Sequence, residues 1–150
     1  MKIRRREALV ALPLLAGVAG PGASQPTQPP IVQPERPGRD AFIARAHAMR
    51  DRAVREGDQA FGAIVVRAGV IVGEAPSRVV TNRDPTAHGE IEAIRDAARR
   101  LGTGDLSGCE LYSSFRPCAM CEAAASWARI ARLYSGAEGT DHGAPRLSRC

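Results

Sequence analysis

The chain has 150 residues, 44% of them hydrophobic and 25% charged, with a net charge of +5. That length and balance are ordinary for a globular protein and give one domain with a single core. Six aromatic residues, with no basic cluster beside them, leave no footprint for binding a long nucleic acid.

The first 23 residues read as a targeting segment outside that core. Lys2, Arg4, Arg5 and Arg6 precede an apolar run from Ala8 to Ala19, and small residues follow at Gly17-Val18-Ala19 and Ala23. This is the layout of a secretory signal peptide, too short to span a membrane as a helix, so no membrane association is expected after cleavage. Consecutive arginines before the apolar run resemble a twin-arginine signal, which exports folded proteins. The expectation is therefore a periplasmic protein, or a cytoplasmic one if this extension is not translated. The segment holds four basic side chains and one acidic one, so without it the net charge falls from +5 to +2.

Between Pro21 and Arg39 lie six of the eleven prolines, with Gln, Ser and Thr, a composition that predicts an extended linker over residues 24–39. The folded domain is expected over residues 40–150. Phe42, Ala46, Met49 and Ala53 recur at helical spacing after Asp40. Phe61 to Val66 and Val70 to Val72 are β-rich runs joined by Arg67-Ala68-Gly69, which predicts a hairpin.

A second helix is predicted to start at Asp84-Pro85-Thr86, with a capping side chain and a Pro tolerated in the first turn. It would run through Ile91, Ile94, Ala98 and Leu101 to a stop at Gly102. Arg99-Arg100 at its end is where cations are favoured in any helix. Cys109 to Ser113 alternates like a strand with Cys109 buried. A helix from Cys118 and a strand through Ile130 to Tyr134 follow. The last stretch, Gly136 to Arg149, is interrupted by Gly and Pro, and terminal Cys150 is free to pair with another chain, which leaves a homodimer open. Strands alternating with helices predict an α/β domain with helices on both faces of a sheet.

Two fragments carry the chemistry: His88-Gly89-Glu90 and Pro117-Cys118-Ala119-Met120-Cys121. Taken singly, Cys-x-x-Cys is as readily a redox pair or half of a structural zinc knuckle. Together, one His and two Cys supply three zinc ligands and leave a fourth position open for water, the mark of a catalytic site. Cys118 and Cys121, three apart in a helix's first turn, share a face. His88 and Glu90 do not, but both can approach an ion lying off a helix end.

In this order, and with Pro before the first Cys, the fragments match the pattern of zinc nucleobase deaminases. The run Asn82-Arg83-Asp84-Pro85-Thr86-Ala87-His88-Gly89-Glu90-Ile91 resembles the first signature of the cytidine deaminase-like superfamily, in the branch of bacterial guanine deaminases and tRNA adenosine deaminases. Phe61-Gly62-Ala63 and Ser126-Trp127-Ala128-Arg129 lean towards guanine deaminase, and the resemblance covers roughly residues 40 to 142.

The resemblance implies a three-layer α-β-α sandwich around a mixed sheet, with shortened C-terminal elements. It also implies a Zn²⁺ cofactor on His88, Cys118 and Cys121, and Glu90 as the proton carrier of a hydrolytic deaminase that releases ammonia from a nucleobase or nucleoside. A tRNA adenosine deaminase-like enzyme, a zinc-binding pseudoenzyme and a thiol-redox protein are the alternatives. Thr86 and Ala87 are expected to line the pocket, and Trp127 to stack on the base or to belong to the core.

Three departures bear on substrate. Relatives carry an Asn eleven residues before the His, where this chain has Ser77, shorter and with one donor in place of two. Arg116 stands where Glu is usual and Ala119 where Pro is common; Arg116 would bring a cation to the thiolates or block the mouth. The C-terminal region that in guanine deaminases supplies an acidic base-binding residue is shortened, leaving Asp141 as the nearest acidic candidate.

Overall fold

A computed structural model describes residues 28–146. The expected signal segment at 1–23, the start of the linker and Cys150 lie outside the described residues. The elements are α1 (Arg39–Arg55), β1 (Gly62–Arg67), β2 (Val70–Pro76), α2 (Gly89–Leu101), β3 (Cys109–Ser113), α3 (Ala119–Trp127), β4 (Arg132–Ser135) and β5 (Thr140–Gly143). Among the described residues no helix is long and apolar enough to cross a membrane.

The strands form one sheet in the order β2-β1-β3-β4-β5. β1 is antiparallel to both neighbours, β3 and β4 are parallel through the α3 crossover, and β5 returns antiparallel, so the sheet is mixed. Strand alternation assigns the layers. Ile64 and Val66 of β1 face α1, where Phe42, Ile43, Ala46 and Met49 join Tyr112 and Tyr134. Ala63 and Val65 face the other way, with Leu111 and Leu133, onto Ala93 and Ala97 of α2 and Ala125 of α3. Helix, sheet and helix make three layers, as expected.

Small residues dominate the α2 side and let that helix lie close. A Cβ added at Gly73 would stand 2.6 Å from the Ala93 carbonyl oxygen and the Ala97 nitrogen. On the opposite face, a Cβ at Gly62 would stand 2.2 Å from the Arg50 nitrogen, and one at Gly89 would stand 2.9 Å from Gly62 Cα. The start of β1 is therefore pressed between α1 and the first residue of α2.

The hairpin turn uses Ala68 and Gly69, both at positive φ, which suits the twist of its strands. Residues 28–38 contain no helix or strand, but they are docked: the Gln33 side chain donates to the Ile71 carbonyl at 2.9 Å and accepts from its N–H at 2.8 Å. Cys109 is fully buried, and that burial raises its thiol pKa. Arg100 pairs with Asp96 one turn back at 2.8 Å.

Two expected boundaries are corrected and one strand is added. α2 begins at Gly89, because Asp84 caps a local turn instead: its carboxylate accepts from the Thr86 N–H and hydroxyl at 2.8 and 2.7 Å, and its carbonyl from Ala87. β4 begins at Arg132, since Arg129 turns through positive φ and the Ile130 N–H closes α3 on the Ala125 carbonyl. The stretch after Gly136 holds a strand, β5. It has no apolar alternation to announce it and is held by pairing to β4 and by the Arg132–Asp141 ion pair at 2.6 Å.

Candidate metal centre

Both helices on the α2 side point their N-termini at one place, and the residue that opens each carries a metal-ligating side chain. His88 is the N-cap of α2 and Cys118 the N-cap of α3, each with extended backbone, and neither side chain caps its own helix. Cys121 follows in the first turn of α3 and is buried.

His88 Nδ1 lies 3.7 Å from Cys118 Sγ and 3.5 Å from Cys121 Sγ, and the two sulfurs are 3.6 Å apart. Zinc bonded to two sulfurs at about 2.3 Å and one nitrogen at about 2.0–2.1 Å, in tetrahedral geometry, spaces its donors roughly 3.6–3.8 Å apart. The donor triangle fits that ion, and the group could hold a metal. Burial, then the charge of nearby Glu90, pushes the Cys121 thiol far above its ordinary range. A cation held by these donors would reverse that balance, because it favours the thiolate.

Glu90, one residue into α2, is buried beside the triangle. One carboxylate oxygen, Oε2, lies 3.5 Å from Cys121 Sγ, while Oε1 accepts a hydrogen bond from the Ser113 hydroxyl at 3.0 Å. Glu90 does not join the three-donor group. A cavity of about 240 Å³ opens onto His88, Glu90 and Cys118 and is walled by Phe61, Phe115 and Arg116. The two Phe rings meet edge-on, 6.1 Å between centroids, and both are partly exposed. A larger hollow of about 610 Å³ on the far side of Phe115 contains none of these donors.

The remaining candidates are placed elsewhere. Ser77 is buried and donates to Asp58 Oδ1 at 2.8 Å, which commits its single hydroxyl proton to the loop between α1 and β1. Thr86 is exposed, with its hydroxyl on Asp84. Ala87 is buried, and its carbonyl accepts the Arg78 N–H. Trp127 is not part of the core. It is 49% exposed at the last position of α3, nine residues or about 13 Å along the helix from Cys118. Asp141 is paired with Arg132 on the sheet edge. Arg116 does reach the cavity, and its guanidinium stands 3.4 Å from His142 Nδ1 of β5.

Ser113 and Phe115 escaped the sequence reading. Ser113 carried a signal, since it continues the inward row of Cys109 and Leu111, where an unpaired hydroxyl would be costly. Phe115 sits between a strand end and Pro117-Cys118, an apolar residue in a loop with no core to enter.

Residues 38–137 match the family model described as the cytidine and deoxycytidylate deaminase zinc-binding region. The chain is 42% identical over 103 residues to guanine deaminase of Bacillus subtilis, covering 68% of this chain and 66% of that protein. It is 41% identical over 106 residues to the tRNA-specific adenosine deaminase of Aquifex aeolicus, covering 71% and 70%. The X-ray structure of the Bacillus subtilis guanine deaminase superposes with a TM-score of 0.64 at 40% identity, covering 67% of this chain and 64% of that one. The chain thus spans about two thirds of the length of these relatives.

Proposed function

Since the chain belongs to the cytidine and deoxycytidylate deaminase zinc-binding family, we propose that it is a zinc-dependent hydrolytic deaminase of a free nucleobase or nucleoside, most like guanine deaminase. The observation that carries this reading is the zinc-sized triangle of His88, Cys118 and Cys121 with a buried carboxylate beside it.

His88 through Nδ1 and the two thiolates would hold the ion. Zinc with three protein ligands, when bound, supplies an open Lewis-acidic position at which water is acidified towards a pKa of about 7. Glu90 is the proton carrier: it receives a proton at Oε2, gives it to the ring nitrogen and then assists departure of the amine. The balance is one water consumed, a carbon–nitrogen bond broken, a carbonyl formed and ammonia released. Phe61 and Phe115 offer apolar walls for a planar ring and keep bulk water from Glu90. Arg116 stands at the mouth, where it favours an electron-rich or anionic edge.

The test is ammonia release from guanine, adenine, cytosine and their nucleosides by the zinc-loaded protein. Glu90→Gln keeps the shape but cannot shuttle a proton, so it should retain zinc and lose turnover by at least the ~10²-fold typical of a general acid–base group. Zinc loss in that variant would make Glu90 a ligand and overturn the assignment. Cys118→Ser should lose stoichiometric zinc and melt at lower temperature, read by metal analysis and thermal unfolding; full retention would remove Cys118 from the ligand set.

A tRNA adenosine is the second reading, favoured by the 41% identity to the Aquifex aeolicus enzyme. An anticodon stem-loop in the same assay separates the two. We also propose export through a twin-arginine signal, supported by Arg4-Arg5-Arg6 ahead of the apolar run.

A further inference from the structure

We propose that Ser113 is a positioning residue for the proton carrier: its hydroxyl holds Oε1 of Glu90 so that Oε2 alone is left to exchange protons in the pocket. The proposal rests on the deaminase reading above.

The register of the sheet delivers the hydroxyl. Ser113 is the last residue of β3 and pairs with Ala63 of β1, and Ala63 faces α2. Ser113 therefore stands in the same inward row as Cys109 and Leu111, and only 1% of it is exposed. Its Oγ lies 3.0 Å from Glu90 Oε1, and Glu90 is 4% exposed. A hydroxyl has one proton to give, and that of Ser113 goes to this Glu90 oxygen. The Phe115 N–H approaches the same Oγ at 3.4 Å, which gives the hydroxyl an incoming donor and keeps its proton turned towards the carboxylate.

The neighbouring serine makes the mount stiff. Ser114 Oγ accepts the Gly62 N–H at 3.1 Å, and the Ser114 N–H donates to the Gly62 carbonyl at 2.9 Å. Gly62 in turn abuts Gly89, the residue before Glu90. The end of β3 is thus tied both to the strand beside it and to the helix turn that carries the proton carrier. The last torsion of a Glu side chain is broad and nearly two-fold. Without Ser113 the carboxylate plane would turn about that torsion, and no oxygen would be held in the place Oε2 takes beside Cys121.

The experiment compares Ser113→Ala, Ser113→Thr, Glu90→Gln and the Ser113→Ala/Glu90→Gln pair, all zinc-loaded full chains. Steady-state kinetics use whichever base or nucleoside the wild type turns over. Ser113→Ala should keep its zinc and melting temperature, lose about tenfold in kcat as expected for one hydrogen bond to a charged group, and hold KM within about twofold. Ser113→Thr restores the hydroxyl and should recover most of the loss. On the Glu90→Gln background, Ser113→Ala should cost nothing further, because its effect passes through Glu90.

Unchanged kcat in Ser113→Ala, or losses that multiply in the double variant, would overturn the proposal. A readout independent of turnover is the crystal structure of zinc-loaded Ser113→Ala, in which the Glu90 carboxylate should rotate away from its wild-type orientation; an unmoved carboxylate also overturns it. Failure of the deaminase reading looks different: no ammonia from any base, nucleoside or stem-loop by the wild type, while the carboxylate still moves in Ser113→Ala.

Discussion

Asp58 gathers five hydrogen bonds on one carboxylate, from the N–H groups of Gln59, Val80 and Thr81 and the hydroxyls of Ser77 and Thr81. Burial by itself would raise its pKa, but the Thr81, Ser77 and Gln59 donors outweigh burial and hold it far below the ordinary carboxylate range. A depressed folded pKa contributes stability above the unfolded value near 3.9 and loses it as pH falls towards the folded one. Asp58→Asn should therefore be less stable than wild type by a constant margin from about pH 5 to 8, a margin that narrows below about pH 4. Denaturant unfolding across that range checks it, and a margin that stays constant in acid would refute the linkage. The network also takes up the Ser77 hydroxyl. A buried hydroxyl follows its strongest acceptor, and Asp58 lies nineteen residues away where sequence spacing gives no hint.

Elements with strong periodicity were legible: α1, the β1–β2 hairpin and β3 fall where alternation and helical spacing put them. Boundaries decided by competing local hydrogen bonds were not, which is why α2 starts at Gly89 and β4 at Arg132. Of the site, His88, Glu90, Cys118 and Cys121 could be read because chemistry restricts residue type and spacing. Phe115 and Ser113 needed the register of a sheet. The contact among α1, β1 and α2 at Gly62 gives an element-scale prediction. Its missing side chain would meet backbone atoms of Met49 and Arg50 at 2.5 and 2.2 Å, and backbone cannot swing aside. Gly62→Ala should cost at least about 3 kcal/mol, the upper end for overpacking, and should weaken zinc affinity because α2 must shift with it. Thermal unfolding and a competitive chelator titration measure both; an unaffected zinc affinity would uncouple this contact from the donors.

At the scale of the molecule, the layered fold comes from one alternating strand, β1, whose two faces differ in size: Ile64 and Val66 towards α1, Ala63 and Val65 towards α2. A twin-arginine route would carry the whole domain across the membrane folded and metal-loaded. Changing Arg5 and Arg6 together to Lys should leave the precursor inside the cell while a Sec-dependent reporter is still exported; undisturbed export would assign the signal to Sec. His88 and Cys118 occupy the two positions where Ser, Thr, Asp or Asn would ordinarily cap a helix, and neither caps. Each helix has given up a stabilising contact worth typically about 1 kcal/mol so that its first residue can face an ion. Chelation would then fray both helix starts together, and accelerated amide exchange at those two turns would report metal loss before the rest of the domain unfolds.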